Sequence, residues 1–137
     1  MDLAGLLEFL RAHRLAVQAS VTAEGAPQAA VVGIAVSDRF EIVFDTLDST
    51  RKIANLRRNP RISLALWEGE KTVQIDGVAD EPEGPELERI RAVYFEAWPD
   101  GRDRLEWPGL THVRVRPTWA RYTDYGKAPP QIVEFHF

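Results

Sequence analysis

The sequence predicts a β-rich α+β fold in which six antiparallel strands form a barrel and short helices lie between them. Six segments have the alternating or largely apolar pattern that is typical of strands, and glycine-bearing turns join two pairs of them. Helical periodicity is confined to a few short segments. A barrel buries both the apolar faces and the sheet edges of such hairpins. At 137 residues, we expect residues 1–137 to form a single domain.

The first half of the chain is predicted to be a helix followed by three strands. Leucines at helical spacing, interspersed with charged residues, predict an amphipathic helix over residues 1–14. The strands cover residues 15–22, 27–37 and 40–45, and Gly25 lies in the turn of the first hairpin. The interrupted apolar pattern is not that of a signal peptide, and no segment approaches the length of a membrane span. We therefore expect a soluble, cytoplasmic protein with no membrane partner.

The second half of the chain alternates helices and strands. The second helix ends at Asn59 because the residue before a proline disfavours the helical conformation. Gly77, inside a later strand, predicts a bulge or a close approach of the backbone to another group. The predicted elements are a helix over 49–59, strands over 61–67 and 71–80, a helix beginning at Pro85, a strand over 111–123 and an edge strand within 124–137.

Composition excludes several classes of function. A net charge of -4 and an isoelectric point near 5.4 argue against a nucleic-acid partner. The chain has no cysteine, which excludes disulfides, thiolate nucleophiles and thiolate metal sites. His13, His112 and His136 are far apart in sequence and lack metal-ligand spacing, so we expect no metal centre.

The segment from Thr46 to Arg61 concentrates cations and hydroxyl groups at a helix start within an acidic protein. Asp48 or Ser49 can cap this helix, whose first turn would then carry Arg51 and Lys52. Cations there oppose the positive end of the helix dipole, so the pattern indicates a bound anion, and a phosphate fits best. The cations nearer the helix end suit a solvated surface, and they are Arg57, Arg58 and Arg61.

The element order resembles that of the pyridoxamine 5'-phosphate oxidase-like family of FMN-binding split barrels. Two motifs carry the resemblance: T-x-x-x-T-R-K over Thr46–Lys52 and N-x-x-x-N-P-R over Asn55–Arg61. It covers about residues 5–125. It implies a split barrel that forms a homodimer and binds FMN, or in some branches a deazaflavin coenzyme, in clefts between subunits.

The resemblance also implies which residues bind the cofactor. The phosphate would lie on Arg51 and Lys52, with hydroxyl groups from Thr46, Ser49 and Thr50. The isoalloxazine ring would contact the backbone of Ala30, Val31 and Val32, with a polar contact at Thr72, and Trp119 and Tyr122 are candidates for stacking on flavin or substrate.

Departures from the oxidase bear on the reaction. Ala30 and Ala35 occupy positions where the oxidase has an arginine and a lysine, and its C-terminal basic substrate motif is not evident. We therefore expect no oxidation of vitamin B6. A deazaflavin coenzyme remains open as the alternative to FMN.

The sequence thus predicts an FMN flavoprotein, an oxidoreductase that exchanges hydride or electrons with a small molecule. It identifies no catalytic residue, because the cofactor would carry the chemistry. Three alternatives stay open: a deazaflavin-dependent reductase, a non-catalytic flavin or heme carrier or stress protein, and a scaffold that has lost its cofactor.

Overall fold

A computed structural model describes residues 1–137 as one curled antiparallel sheet with three α-helices. The helices are α1 (Leu3–Ala12), α2 (Arg51–Arg58) and α3 (Gly84–Ala97), and a 3₁₀ helix covers Pro99–Arg104. The strands are β1 (Leu15–Val21), β2 (Pro27–Gly33), β3 (Ala35–Val36), β4 (Ile42–Leu47), β5 (Arg61–Glu68), β6 (Lys71–Asp80), β7 (Leu110–Asp124) and β8 (Gln131–His136). None of the helices has the length and apolar character needed to cross a membrane.

The sheet has eight strands, whereas the sequence predicted six. One extra strand arises because the segment predicted as a single strand over 27–37 changes partner at Ile34, so that β2 pairs with β1 and β3 pairs with β4. The Ile34 carbonyl accepts a hydrogen bond from Trp98 Nε1 at 2.9 Å instead of from a strand. The other strand beyond the six of the predicted barrel is the tail, β8, which pairs with β7 and corresponds to the edge strand predicted within 124–137.

The strand order β2-β1-β5-β6-β7-β4-β3 curls the sheet into a half-open barrel. The 15-residue β7 connects its two sides, since it pairs with β4 along its first part and with β6 along most of its length. The β6–β7 register shifts at Gly77, where a Cβ would lie 2.7 Å from the Arg116 carbonyl oxygen. The predicted bulge and close backbone approach are both confirmed.

Two apolar clusters fix the fold. The larger fills the inside of the curled sheet and includes Leu6 and Leu10 of α1, Phe44 of β4 and Ile53 of α2. The smaller lies on the other side of β3 and β4, where α3 packs Ile90, Tyr94 and Phe95 against Ala35 and Val43. Burial of Ile53 and Leu56 holds α2 against the barrel and leaves its first turn at the surface.

Ion pairs also attach α3 to the barrel. Arg89 of α3 forms two hydrogen bonds to the Glu41 carboxylate, at 2.8 and 2.7 Å. Arg89 lowers the pKa of Glu41 to about 2, and the bond from Ser37 contributes to the shift. Arg114 of β7 also reaches α3, where it donates to the Glu86 carboxylate at 2.7 Å. This network lies away from the start of α2.

Candidate functional site

An open cleft of about 340 Å³ lies between the first turn of α2 and the β1–β2 hairpin. It brings together five residues that the sequence predicted for the cofactor, namely Ala30, Ser49, Thr50, Arg51 and Lys52. Four others complete its lining: Gln18, Ser20, Gln28 and Ala29. The lining contains no carboxylate, histidine or cysteine, so it provides cations, amides and hydroxyl groups but no evident acid, base or nucleophile.

The helix start differs from the predicted one. Thr50 is the N-cap residue of α2, so the predicted cap at Asp48 or Ser49 is wrong. The Thr50 side chain makes no capping bond, because its Oγ1 donates to the Leu47 carbonyl at 2.9 Å. The amide groups of the first helical turn therefore have no side-chain acceptor, and they can receive an anion.

A short chain of hydrogen bonds lies behind that first turn. Since the Thr50 hydroxyl donates to Leu47, the contact of 3.1 Å between the Thr46 and Thr50 hydroxyls has Thr46 as donor. Lys52 Nζ in turn lies 3.4 Å from Thr46 Oγ1. Thr46 thus supports Thr50 and Lys52 from behind the cleft wall. Ser49 has no hydrogen-bond partner within the chain, which leaves its hydroxyl free to donate to a ligand.

The two cations of the cleft lack an anionic partner. Neither Arg51 nor Lys52 lies within 4.0 Å of a carboxylate oxygen. Burial, followed by the neighbouring charge of Arg51, lowers the pKa of the Lys52 ammonium. Arg57, by contrast, forms a fork with the Glu81 carboxylate at 2.9 and 2.8 Å. Arg58 also has no carboxylate partner, but it lies in the last turn, where the helix dipole favours a cation. The electrostatically unfavourable cations are therefore Arg51 and Lys52 at the start of α2.

A buried asparagine, outside the cleft lining, holds two of the polar lining residues in place. Asn55 of α2 is only 4% exposed, and its Nδ2 donates to Ser20 Oγ at 3.1 Å and to Gln28 Oε1 at 2.9 Å. Gln18 is 1% exposed, and its Oε1 has no hydrogen-bond partner. Sequence reasoning missed these residues. The available signal was polar residues at alternate positions of β1, Gln18 and Ser20, in register with the buried Ala16.

Strand β2 forms the edge of the sheet beside the cleft. The Ile34 amide donates to the Arg14 carbonyl. In an antiparallel pair every second residue bonds to the neighbouring strand, so the backbone groups of Val32 and Ala30 bond to β1. The backbone groups of Val31 point to the free edge. Of the three predicted ring-contact residues, Val31 offers backbone groups, Ala30 offers a side chain in the cleft, and Val32 is buried in the core.

Several other candidate positions lie outside the cleft of this chain. Thr72 on β6 pairs with Trp67 and Thr123. Tyr122 is buried in the large cluster, edge-on to Phe9 with ring centroids 6.0 Å apart, so the prediction that it stacks on a ligand is wrong. The Arg121 guanidinium lies over the Trp119 ring, with its Cζ 5.3 Å from the ring centroid.

His112 and Ala35 are also remote from the cleft. Ala35 packs under α3, so a cation at this position would face the smaller apolar cluster. His112 lies beside Tyr94 and Phe95 of α3, and burial, with a smaller contribution from Arg91, lowers its pKa to about 4. Its Nε2 has no hydrogen-bond partner. The residue is a neutral, buried imidazole at neutral pH.

The chain matches known proteins over most of its length. A family model described as pyridoxamine 5'-phosphate oxidase matches residues 4–124. The pyridoxine/pyridoxamine 5'-phosphate oxidase of Bordetella pertussis is 32% identical over 121 residues, which cover 82% of this chain and 56% of the relative. The match thus spans little more than half the length of that curated relative.

Solved structures share the fold at low sequence identity. A heme binding protein from Mycobacterium smegmatis superposes with a TM-score of 0.83 and 23% identity, covering 99% of this chain and 58% of the other. A pyridoxamine 5'-phosphate oxidase-related, FMN binding protein from Nostoc punctiforme superposes with a TM-score of 0.73 and 10% identity, covering 100% and 99%. At these identities the similarity establishes the half-open barrel fold alone.

Proposed function

Because this chain belongs to the pyridoxamine 5'-phosphate oxidase-like family, we propose that it is a flavoprotein that binds FMN in the cleft between α2 and the β1–β2 hairpin. One observation carries the proposal. The first turn of α2 presents amides without a side-chain cap beside Arg51 and Lys52, and neither cation has a carboxylate partner. A phosphate group would satisfy the amides and the cations together.

The residues divide the binding of FMN between them. Arg51 would form a fork with two phosphate oxygens, Lys52 would add a charge held in place by Thr46, and the free Ser49 hydroxyl would donate a hydrogen bond. The ring system would lie along the β2 edge, where Val31 exposes its backbone groups. FMN, when bound, supplies hydride or electron transfer. The protein would bind and orient it, and a small molecule would be the partner in the reaction.

We also propose a cytoplasmic homodimer whose interface includes the outer face of the sheet. Val31 and Trp67 are 63% and 62% exposed there, and Trp67 neighbours the exposed Leu15 across the β1–β5 pair. A contiguous apolar surface of this kind favours a second copy of the chain. Thr72 pairs with Trp67 and shares this outer face, so a dimer would bring it near the interface. Trp67→Glu should then shift the protein to a monomer in analytical ultracentrifugation, whereas wild type should sediment as a dimer.

Two other cofactors fit parts of the same site. A deazaflavin coenzyme would use the same phosphate contacts, and its longer tail would extend into the open side of the cleft. A non-catalytic heme carrier is the second candidate function. It rests on the fold shared with a protein described as heme binding, whereas the lining has no histidine, cysteine, methionine or tyrosine to ligate heme iron.

Spectroscopy and binding separate these candidates. The absorption spectrum of the purified protein should show flavin bands, and FMN should raise the melting temperature of the apoprotein. The Arg51→Ala, Lys52→Ala double variant should lose FMN affinity, while Arg58→Ala, on the last turn of the same helix, should retain it. A colourless protein that gains no stability from FMN, the deazaflavin coenzyme or hemin would refute a cofactor-binding role.

A further inference from the structure

A second open cavity, of about 730 Å³, lies on the outer face of the sheet, where β1, β5 and β6 run side by side. We call it the outer-face cavity. It shares only the buried Ser20 with the lining of the cleft. Arg61, which lines it, begins β5, whereas Trp67 lies near the other end of that strand, about 20 Å away at the rise of a strand. The outer-face cavity is therefore separate from both the candidate cofactor site and the exposed patch at Trp67.

A β-bulge shapes this cavity. Asp76 pairs with Trp119 and Gly77 pairs with Pro117, so β7 has one more residue than β6 at this step. The extra residue is Thr118, whose hydroxyl donates to the Asp76 carbonyl at 3.2 Å. Bulges bend a strand and change the direction of its side chains, and they are frequent beside functional sites. This bulge lies at the wall of the outer-face cavity, since Asp76 and Thr118 both line it.

The cavity holds two opposite charges that do not pair with each other. Ser63 faces Asp76 across the β5–β6 pair, which places Arg61 diagonal to Asp76 on the same face, within reach of a long side chain. Nevertheless, Arg61 forms no ion pair, and Asp76 accepts a side-chain bond only at Oδ1, from Ser63 Oγ at 2.8 Å. The Arg61 guanidinium and Asp76 Oδ2 are therefore available to a ligand.

Neutral and apolar groups complete the lining of the cavity. Asn59 Oδ1 accepts from the Arg61 amide at 3.2 Å, and its Nδ2 has no acceptor within the chain. Val21, Pro27 and Val78 provide an apolar side, and Val78 is 44% exposed. The outer-face cavity thus offers donors for a carboxylate, an acceptor for an ammonium group and a surface for a short apolar chain.

We infer that the outer-face cavity binds a small zwitterion, of the class of an α-amino acid with an aliphatic side chain. Arg61 and Asn59 would bind its carboxylate, and Asp76 would bind its ammonium group. The aliphatic chain would lie on the apolar side. One carbon atom separates the two charges of such a ligand, so it can bridge a cation and a carboxylate that lie side by side without pairing. A purely anionic or cationic ligand would leave one of them without a partner. This inference goes beyond the proposed function and does not rest on it.

Leucine and two of its analogues test the inference in NMR chemical-shift titrations of the wild-type protein. 4-Methylpentanoate keeps the carboxylate and the apolar chain but lacks the ammonium group, whereas 3-methylbutylamine lacks the carboxylate. We expect leucine to bind with a dissociation constant of about 1 mM or lower. Each analogue should bind about tenfold more weakly, because it loses one charge-assisted contact.

Two variants should each remove the advantage of leucine over one analogue. Arg61→Gln should weaken leucine about tenfold, to within about twofold of the affinity of 3-methylbutylamine for wild type, because the carboxylate then has no cation. Asp76→Asn should weaken leucine to within about twofold of the affinity of 4-methylpentanoate for wild type. Both side chains are exposed, so both variants should fold, and neither should change the affinity for FMN. A residue with a purely structural role would not match one analogue in this way.

Arg58→Gln is the matched control, because Arg58 is also a cation without an ion pair but lies on the last turn of α2, outside the cavity lining. It should bind leucine like wild type. Wild type that does not bind leucine, or variants at Arg61 and Asp76 that bind it equally well, would overturn the inference whether or not FMN binds. If leucine does not bind and Arg61→Gln dissociates a wild-type dimer, the cavity is instead an interface between two copies of the chain. Wild type that binds leucine in the expected pattern but does not bind FMN would support this inference and overturn the proposed function.

Discussion

Replacing Lys52 with methionine tests the phosphate site most directly. The substitution keeps the apolar stem of the side chain and removes the ammonium group, which lies 3.4 Å from Thr46 Oγ1 and has no carboxylate partner. Two unit charges 4 Å apart at an effective dielectric constant of 20 attract by about 4 kcal/mol. Desolvation offsets part of this attraction, and a hydrogen bond to a charged group contributes about 1.5–3 kcal/mol net. We therefore expect FMN to bind Lys52→Met about 10- to 100-fold more weakly than wild type.

Lys52→Met should not lose stability in the absence of ligand, although it loses affinity for FMN. Burial and the charge of Arg51 lower the pKa of Lys52, which means that the folded apoprotein disfavours the charged ammonium. Lys52→Met should therefore melt at the same temperature as wild type or slightly higher when no ligand is present. A residue that only supports the fold would lose stability on substitution.

The pH dependence of binding gives an independent measure. Affinity should rise as the phosphate loses its second proton near about pH 6 and should fall again in alkaline solution, where Lys52 loses its proton. The lowered pKa moves that alkaline fall below the range of an ordinary lysine, and Lys52→Met should lack it. Flavin fluorescence titrations between pH 5 and pH 10 would measure both the rise in FMN affinity near pH 6 and its fall in alkaline solution. An unchanged affinity in Lys52→Met, or an equal loss in Arg58→Ala, would refute the reasoning.

Three further substitutions or conditions have defined outcomes. Asn55→Ala removes the bonds to Ser20 and Gln28, and should lower the free energy of unfolding in urea by about 1–3 kcal/mol. His112 has a pKa of about 4 in the folded protein, so its contribution to stability is complete above about pH 6.5 and is lost as the pH falls towards 4. The loss should reach up to about 3 kcal/mol. The free energy of unfolding in urea should therefore fall more steeply with decreasing pH in wild type than in His112→Gln. Gly77→Ala should lower the melting temperature, because its Cβ would lie 2.7 Å from the Arg116 carbonyl oxygen, and an unchanged melting temperature would contradict that contact.

Local patterns predicted most of the fold because each element is marked by its own residues. The strand on either side of Gly69, the stop of α2 at Asn59 and the bulge at Gly77 all follow from short-range chemistry. The break at Ile34 does not, since it depends on a hydrogen bond from Trp98, 64 positions away in the sequence. The pattern of residues 27–37 is equally compatible with a single long strand.

The sequence alone identifies one half of the candidate site, the first turn of α2, but not the other half, the buried polar residues. Arg51 and Lys52 are adjacent in sequence, so their unusual charge at a helix start is visible without a structure. The buried polar residues beside the cleft come from β1, β2 and α2, and only the folded chain brings Gln18, Gln28 and Asn55 together. A polar residue in a strand can face either solvent or the interior, and the strand pattern alone does not distinguish the two.

The substitution at Ala30 connects both halves of the site. In the sequence it marks a departure from the oxidase, which has an arginine there. The first turn of α2 already offers two side-chain cations and a helix terminus equivalent to about half a positive charge, which together balance a phosphate of about -1.5 to -2. A third cation is therefore not required for charge balance. Ala30 lies across from Gln18 in the β1–β2 pair, and both residues line the cleft. With a small neutral residue on β2, the positive charge of the cleft comes from the first turn of α2 alone, through Arg51 and Lys52.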